Sequence, residues 1–299
     1  MPTLKGQNFR VYLGESVVAK STNCTITLTG NTEDASTKDD IGMASKPEVV
    51  SKSWSVSVES LDVTDTAAML NAIKNLTPFT IAYDETSTTD NQTALGALFA
   101  RTGTAYLNDI TYSFNDRENS TKQIQFTGSG PLETRATSET EVISVDDVFT
   151  KGQFVRLFLS SDNTTAPAKV IAAAKSLSLH VSMQLENVTT KDTTGDWQIM
   201  EPTALSYDIS TNALMRSGDA ITSSVQAQTL ADIESIYENS LPVKFQIANV
   251  SGDNQRTKGS VLVSGSVVIS QLTLNGPNSG QNATYDASLN GYGIYTVGA

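Results

Sequence analysis

Apolar and polar residues alternate with a period of two along much of the chain. Phe9, Val11 and Leu13 alternate with Arg10 and Tyr12, and Val155, Leu157 and Leu159 alternate with Arg156 and Phe158. Ile26 and Leu28 lie between Thr25, Thr27 and Thr29. Leu177, Leu179, Val181 and Met183 lie between Ser176, Ser178, His180 and Ser182. Trp54, Val56 and Val58 oppose Ser53, Ser55, Ser57 and Glu59, while Leu205, Tyr207 and Ile209 oppose Ser206, Asp208 and Ser210. This alternation predicts strands with one buried and one wet face. Two stretches follow a helical spacing instead. Thr64 or Asp65 can cap a segment with Ala67, Leu70, Ile73 and Leu76 on one stripe, stopped by Pro78. Leu230, Ile233, Ile236 and Tyr237 form a similar stripe before Pro242. A strand follows each helix: Phe79, Ile81 and Tyr83, then Val243, Phe245 and Ile247. The predicted class is mainly β with one short helix per repeat, an α+β chain.

The two series are copies. Lys5-Gly6-Gln7-Asn8-Phe9-Arg10-Val11-Tyr12-Leu13 returns as Lys151-Gly152-Gln153-Phe154-Val155-Arg156-Leu157-Phe158-Leu159. Val17-Val18-Ala19 matches Val170-Ile171-Ala172 after a short insertion. Thr37-Lys38-Asp39-Asp40-Ile41-Gly42 matches Thr190-Lys191-Asp192-Thr193-Thr194-Gly195 in that same register. Gly128-Ser129-Gly130 and Gly291-Tyr292-Gly293 close the copies. Four matches in one order predict a duplicated domain: a first repeat at 1–131, a polar linker at 132–150 and a second repeat at 151–299. The alternative is a long loop within one large domain. Between the second and third strands of each copy lie long polar loops, Gly30–Lys52 and Gln184–Pro202, longer than a hairpin needs. They are candidates for reaching a neighbouring subunit, through Thr37, Lys38, Asp39 and Asp40 in one and Thr190, Lys191 and Asp192 in the other.

Composition narrows the chemistry. The 299 residues carry 20 basic and 32 acidic side chains, a net charge of −12, with one Cys and one His. One Cys excludes an intrachain disulfide, and one His with one Cys excludes the usual zinc sites. An acidic surface repels phosphate and makes a poor nucleic-acid binder. No apolar run approaches the ~20 residues of a membrane helix, and Met1 to Gln7 lack a signal peptide's apolar stretch. Synthesis in the cytoplasm is the expectation, with no membrane partner.

Catalytic constellations are not evident. His180 stands on a Ser-rich strand face and Cys24 on a strand of the other copy, so nothing in the spacing pairs them as base and nucleophile. His180 is expected to be an ordinary surface residue. Asp39-Asp40 and Asp146-Asp147 lack calcium-loop spacing, and Gly128-Ser129-Gly130 precedes no helix that could cradle a phosphate. Triplets such as Asn91-Gln92-Thr93 and Asn119-Ser120-Thr121 match a glycosylation acceptor only because Thr is abundant. No catalytic, cofactor-binding or metal-binding residue is predicted, and no cofactor.

The polar strand face is unusual in kind. It is nearly all Ser and Thr, with Glu59 and Asp208 and almost no Lys or Arg. With the duplicated order of strand, strand, long loop, strand, helix and closing G-x-G, the chain resembles the tail tube proteins of long-tailed bacteriophages. The matching residues are Thr37 to Gly42 followed by Ser53-Trp54-Ser55-Val56-Ser57-Val58, and Thr190 to Gly195 followed by Ser206-Tyr207-Asp208-Ile209-Ser210.

The resemblance implies two tandem tail-tube-like β-sandwich or barrel domains in a structural virion protein. Rings of three chains with pseudo-sixfold symmetry would stack into a tube whose sheets fuse into an inner barrel. Four lumen strands per repeat give about twenty-four per ring, a barrel roughly 37–48 Å across at ~4.8 Å per strand. Side chains would leave on the order of 27–38 Å, enough for duplex DNA of roughly 20 Å. The implied lumen residues are Thr25, Thr27, Thr29, Ser55, Ser57, Glu59, Ser178, His180, Ser182, Asp208 and Ser210, a wall to which phosphates would not adhere. The implied core is Trp54, Val56, Leu70 and Ile73 with Tyr207, Ile209, Ile233 and Ile236. Implied partners are further copies, tail tip, tape measure and terminator proteins, and passing DNA. The alternative is a tandem β-sandwich adhesin or fibre module.

Overall fold

The computed structural model describes residues 5–14, 16–40, 45–86, 100–135, 150–171, 173–215, 227–251, 257–278 and 280–298. Ile41, Gly42, Asn91–Thr93, Asp146, Asp147, Ala172 and most of the predicted linker lie outside them.

The first half runs β1 (Phe9–Leu13), β2 (Ser16–Val17), β3 (Ser21–Asp34), β4 (Pro47–Ser60), α1 (Thr66–Lys74), β5 (Phe79–Glu85), β6 (Arg101–Asn115), β7 (Thr121–Gly128) and β8 (Glu133–Thr134). The second runs β9 (Val155–Leu159), β10 (Lys169–Ile171), β11 (Ala174–Asn187), β12 (Met200–Leu214), β13 (Ala227–Gln228), α2 (Leu230–Asn239), β14 (Val243–Ser251), β15 (Thr257–Asn275) and β16 (Thr284–Val297). A single helical turn precedes β1 and β9, at Gly6–Asn8 and Gly152–Phe154.

All sixteen strands belong to one hydrogen-bonded sheet. Its middle is an antiparallel series of eight, β3-β4-β7-β6-β11-β12-β16-β15, that crosses from one half to the other at β6–β11. Long β6 makes this possible by changing partners on one edge. Arg101–Ala105 pair with β5, and Asp109–Asn115 pair with β11, with a register shift at Asn108 between the two. β15 is built alike: Thr257–Val267 pair with β14, and a register shift falls at Ser270. The strands β5-β1-β2 and β14-β9-β10-β13 branch from the N-terminal ends of β6 and β15.

The inward faces, the helices and the branch strands enclose one hydrophobic cluster that draws on both halves. The expected core residues Trp54, Val56, Leu70, Ile73, Tyr207, Ile209, Ile233 and Ile236 are all buried in it. The cluster also ties α1 to the second half, where Tyr295 Oη donates to the Leu70 carbonyl at 2.7 Å. α2 is closed by a capping box in which Thr229 and Asp232 satisfy each other's backbone N–H.

Several expectations need correcting. The long loops are shorter than expected, because the flanking strands extend into them: Gly30 pairs with Lys52 and Asp34 with Pro47, leaving Ala35–Lys46 as the connection. Gln184 likewise pairs with Ala204, leaving Val188–Ile199. Polar residues on both faces hid these arms, since a solvated hairpin shows no apolar period. Tyr12 and Phe158, expected on wet faces, are buried, because the branch strands are covered on both sides. Arg135 stacks its guanidinium 4.5 Å from the Tyr12 ring centre, so the start of the expected polar linker is packed down. Ala67, Leu76 and Tyr237 are exposed; α1 buries Thr66, Met69, Leu70 and Ile73, and Leu76 lies beyond the helix with φ of 56°. Leu28, expected in the core, is 60% exposed on edge strand β3.

Candidate functional site

The eight-strand series turns one face to the core and the other to solvent. Cross-strand register sets the second face in rows, because side chains directly opposite share a face. One row runs Asn23, Glu59, Gln123, Thr111, His180, Asp208, Asn290. The next runs Thr25, Ser57, Gln125, Asp109, Ser182, Ser206, and another Thr121, Ser113, Ser178, Ser210, Ser288. Thr27, Ser55 and Thr127 make a shorter row, and Thr29 stands opposite Ser53. None of these residues is Lys or Arg. The charges are Glu59, Asp109 and Asp208, so the face is hydroxyl- and amide-rich with an acidic bias.

Every residue that the sequence nominated for a lumen therefore shares this one face. Those from β6, β7 and β16 were missed. The alternation of Thr111 and Ser113 with Ile110, Tyr112 and Phe114, and of Gln123 and Gln125 with Ile124 and Phe126, would have revealed most of them. Lys122, the basic residue of β7, points the other way. It is 1% exposed and its Nζ meets Asp65 Oδ1 at 2.5 Å.

His180 is not an ordinary surface residue. Its Nε2 lies 2.7 Å from Asp109 Oδ2 and its Nδ1 2.7 Å from Asp208 Oδ1. Partial burial disfavours the imidazolium, but hydrogen bonds and charge from both carboxylates outweigh it and raise the pKa above 6.5. With both nitrogens protonated, one ring donates to a carboxylate of each half and clasps the β6–β11 joint. The two carboxylates grip opposite ends of the ring, so the three groups do not converge on one point. Among the described residues no cluster of three His, Cys, Asp or Glu could hold a metal ion. Cys24 is on the opposite face of β3, its half-buried thiol 3.7 Å from the Phe9 carbonyl and its pKa raised by that burial. It does not meet His180.

The two candidate loops carry the same turn. Asp40 N–H donates to the Thr37 carbonyl at 3.1 Å, and Thr193 N–H to the Thr190 carbonyl at 3.0 Å. The fourth side chain then accepts from the first backbone N–H: Asp40 Oδ2 from Thr37 at 2.7 Å, and Thr193 Oγ1 from Thr190 at 3.0 Å. Thr37, Lys38, Asp39, Thr190, Lys191 and Asp192 are exposed, while Asp40 is partly covered and pairs with Lys46. The second loop does reach across the chain, by other residues. Asp196 accepts from the Lys52 backbone at 2.6 Å and pairs with its ammonium at 3.0 Å, and Gln198 donates to the Lys52 carbonyl at 2.9 Å.

Residues 151–297 match the protein family described as phage tail tube protein. No curated protein matches the sequence. Among solved structures, a chain from the tail of an empty gene transfer agent particle with C6 symmetry is 17% identical, with a TM-score of 0.37 over 49% of this chain and 95% of that one. A chain from the virion of a native gene transfer agent is 16% identical, with a TM-score of 0.36 over 50% and 99%. A chain of the SPP1 tail tube is 18% identical, with a TM-score of 0.36 over 49% and 78%.

Proposed function

We propose, from the match of residues 151–297 to the phage tail tube protein family, that the whole chain is a structural subunit of a phage tail tube. In this reading the chain is a tandem duplication, two tube-subunit folds in one polypeptide. Three copies close a pseudo-hexameric ring, the rings stack, and the eight-strand polar face lines a lumen that duplex DNA crosses during ejection. The loops at Thr37–Asp40 and Thr190–Asp192 reach neighbouring subunits. The protein is made in the host cytoplasm and resides in the virion tail, with tail tip, tape measure and terminator proteins at the ends of the tube.

One observation carries the reading: an unbroken run of eight paired strands, four from each half, whose cross-strand rows of polar side chains contain no Lys or Arg. A wall for DNA needs continuity, so that no edge snags the duplex, and freedom from cations, whose phosphate contacts would release counterions and add affinity. Electron microscopy of concentrated purified protein is the test. Rings or tubes with apparent sixfold symmetry, built from three chains, are expected. Two-lobed monomers that never form a ring would overturn the proposal in favour of the adhesin or fibre module.

A further inference from the structure

The joint inside the chain is formed by β6 and β11. β6 and β11 pair as Asp109–Ser182, Ile110–Val181, Thr111–His180, Tyr112–Leu179, Ser113–Ser178 and Phe114–Leu177. Each partner has a counterpart in the other half. The register of β3 on β4, with its shift after Ser21, repeats that of β11 on β12, with its shift after Ala174, so Thr27 corresponds to His180. The shift at Asn108 of β6 likewise corresponds to that at Ser270 of β15, so Thr111 corresponds to Thr273. Yet these counterparts do not meet. β3 pairs only with β4, and beyond Val267 β15 pairs only with β16, among the described residues.

We propose that β15 of one copy pairs antiparallel with β3 of the next, in the register that β6 and β11 use within the chain. Thr27 then stands opposite Thr273, Leu28 opposite Leu272, Ile26 opposite Leu274 and Thr25 opposite Asn275. The occupant of the free edge is a second copy of this chain, and the inference rests on the self-assembly proposed above.

Two independent features support it. The first is misplaced apolar surface. Leu28 is 60% and Leu274 50% exposed, whereas their counterparts Val181 and Tyr112 at the inner joint are 1% and 0% exposed. Pairing the edges covers both leucines. The second is a glycine whose reason is absent from its own half. Gly152 lies against the end of β6, where an added Cβ would fall 2.3 Å from the Asn115 carbonyl oxygen. Its repeat partner Gly6, in the same Lys-Gly-Gln turn, has nothing within 4 Å of that position. The proposed register sets Gly6 against the end of β15 of the neighbouring copy. A hollow of ≈ 890 Å³ lies there, lined by Leu274, Asn275, Gly276 and Pro277 among others.

Directly opposed Cα atoms in an antiparallel pair are ~4.5–5.5 Å apart, within disulfide reach. In a Cys24→Ser background, Thr27→Cys with Thr273→Cys should give covalent dimers and trimers on mild oxidation of the assembled protein. Thr29→Cys with Asn275→Cys, four residues out of register and ~13 Å apart, should not link. Normal rings by electron microscopy without the first crosslink, or with the second, overturn the pairing and leave the tube reading standing. Failure of the unmodified protein to form rings sinks both. Gly6→Val supplies a second measurement. Because a side chain added at residue 6 meets nothing among the described residues of its own chain, the melting temperature should not change, while the concentration needed for assembly should rise about tenfold or more. Assembly of Gly6→Val at the wild-type concentration would also overturn the inference.

Discussion

The indole of Trp54 lies flat against Gly128, where an added Cβ would fall 2.1 Å from Cε2. Gly103 on the adjacent strand β6 meets the same ring, where an added Cβ would fall 2.7 Å from Cζ2, and Trp54 Nε1 donates to the Gly130 carbonyl at 3.0 Å. In the second half Tyr207 takes the place of the tryptophan, over Gly291 and Gly265. The first glycine of each G-x-G segment, Gly128 and Gly291, thus leaves room for a large ring against the sheet, while Gly130 and Gly293 take positive φ.

Gly128→Ala should therefore destabilise the fold by about 1–3 kcal/mol through overpacking, since a buried indole cannot swing aside. Chemical denaturation measures this. Trp54→Leu should recover part of the loss in the double variant, giving a coupling energy of opposite sign to the single effects. Additive effects would show that the ring and the glycine do not limit each other.

The buried ammonium of Lys122 depends on Asp65, and the two should respond unequally. Removing the carboxylate leaves a desolvated charge, whereas removing the lysine leaves an aspartate that is one-third exposed and can hydrate. Asp65→Ala should cost about 2–4 kcal/mol, and Lys122→Met clearly less, because an apolar isostere avoids the charge altogether. Urea midpoints compared at constant m-value decide the order.

His180 gives the inner joint a pH dependence with a definite sign. Its folded pKa is raised, so its stabilisation is complete below the ordinary value of 6.5 and is lost as pH rises through the folded value. Wild type minus His180→Gln stability should fall across that window, and Asp109→Asn or Asp208→Asn should lower the His180 pKa seen by NMR titration. A difference that does not vary with pH would refute the clasp. In the proposed joint between copies, Thr27 replaces His180 and Gln271 replaces Asp109, so ring closure should not share this dependence.

The sequence reveals what repeats locally and hides what register assembles. Alternation and the recurring Lys-Gly-Gln, Thr-Lys-Asp and G-x-G segments disclose β1, β3, β4, β5, β9, β11, β12 and β14, both helices and the polar face on β3, β4, β11 and β12, but not β6, β7, β15 or β16. The contact of His180 with Asp109 spans 71 residues and arises only because β6 changes partners past Asn108. Nothing periodic announces that change. Burial of Tyr12 and Phe158 was hidden for a related reason: period two identifies one covered face, while the covering of the second depends on segments far along the chain, Arg135 and Lys258 among them.

The absence of cations from the polar rows can be tested by adding them. Ser57 and Ser210 stand in rows of hydroxyls and amides, away from the core, so a lysine at either position meets solvent. Ser57→Lys and Ser210→Lys should fold and assemble into normal tubes, with stability changed by about 0.5 kcal/mol or less. If the face lines the lumen, each ring then presents ammonium groups to passing phosphates and gains affinity by counterion release. Ejection from virions carrying the variants should be slower, and raising the salt concentration should restore it, since that affinity falls steeply with salt. Single-particle ejection kinetics against salt provide the readout. Wild-type ejection rates at low salt from well-formed variant tubes would mean that the face does not border the DNA path. A slowing that salt does not relieve would point to obstruction by the longer side chains, and not to charge.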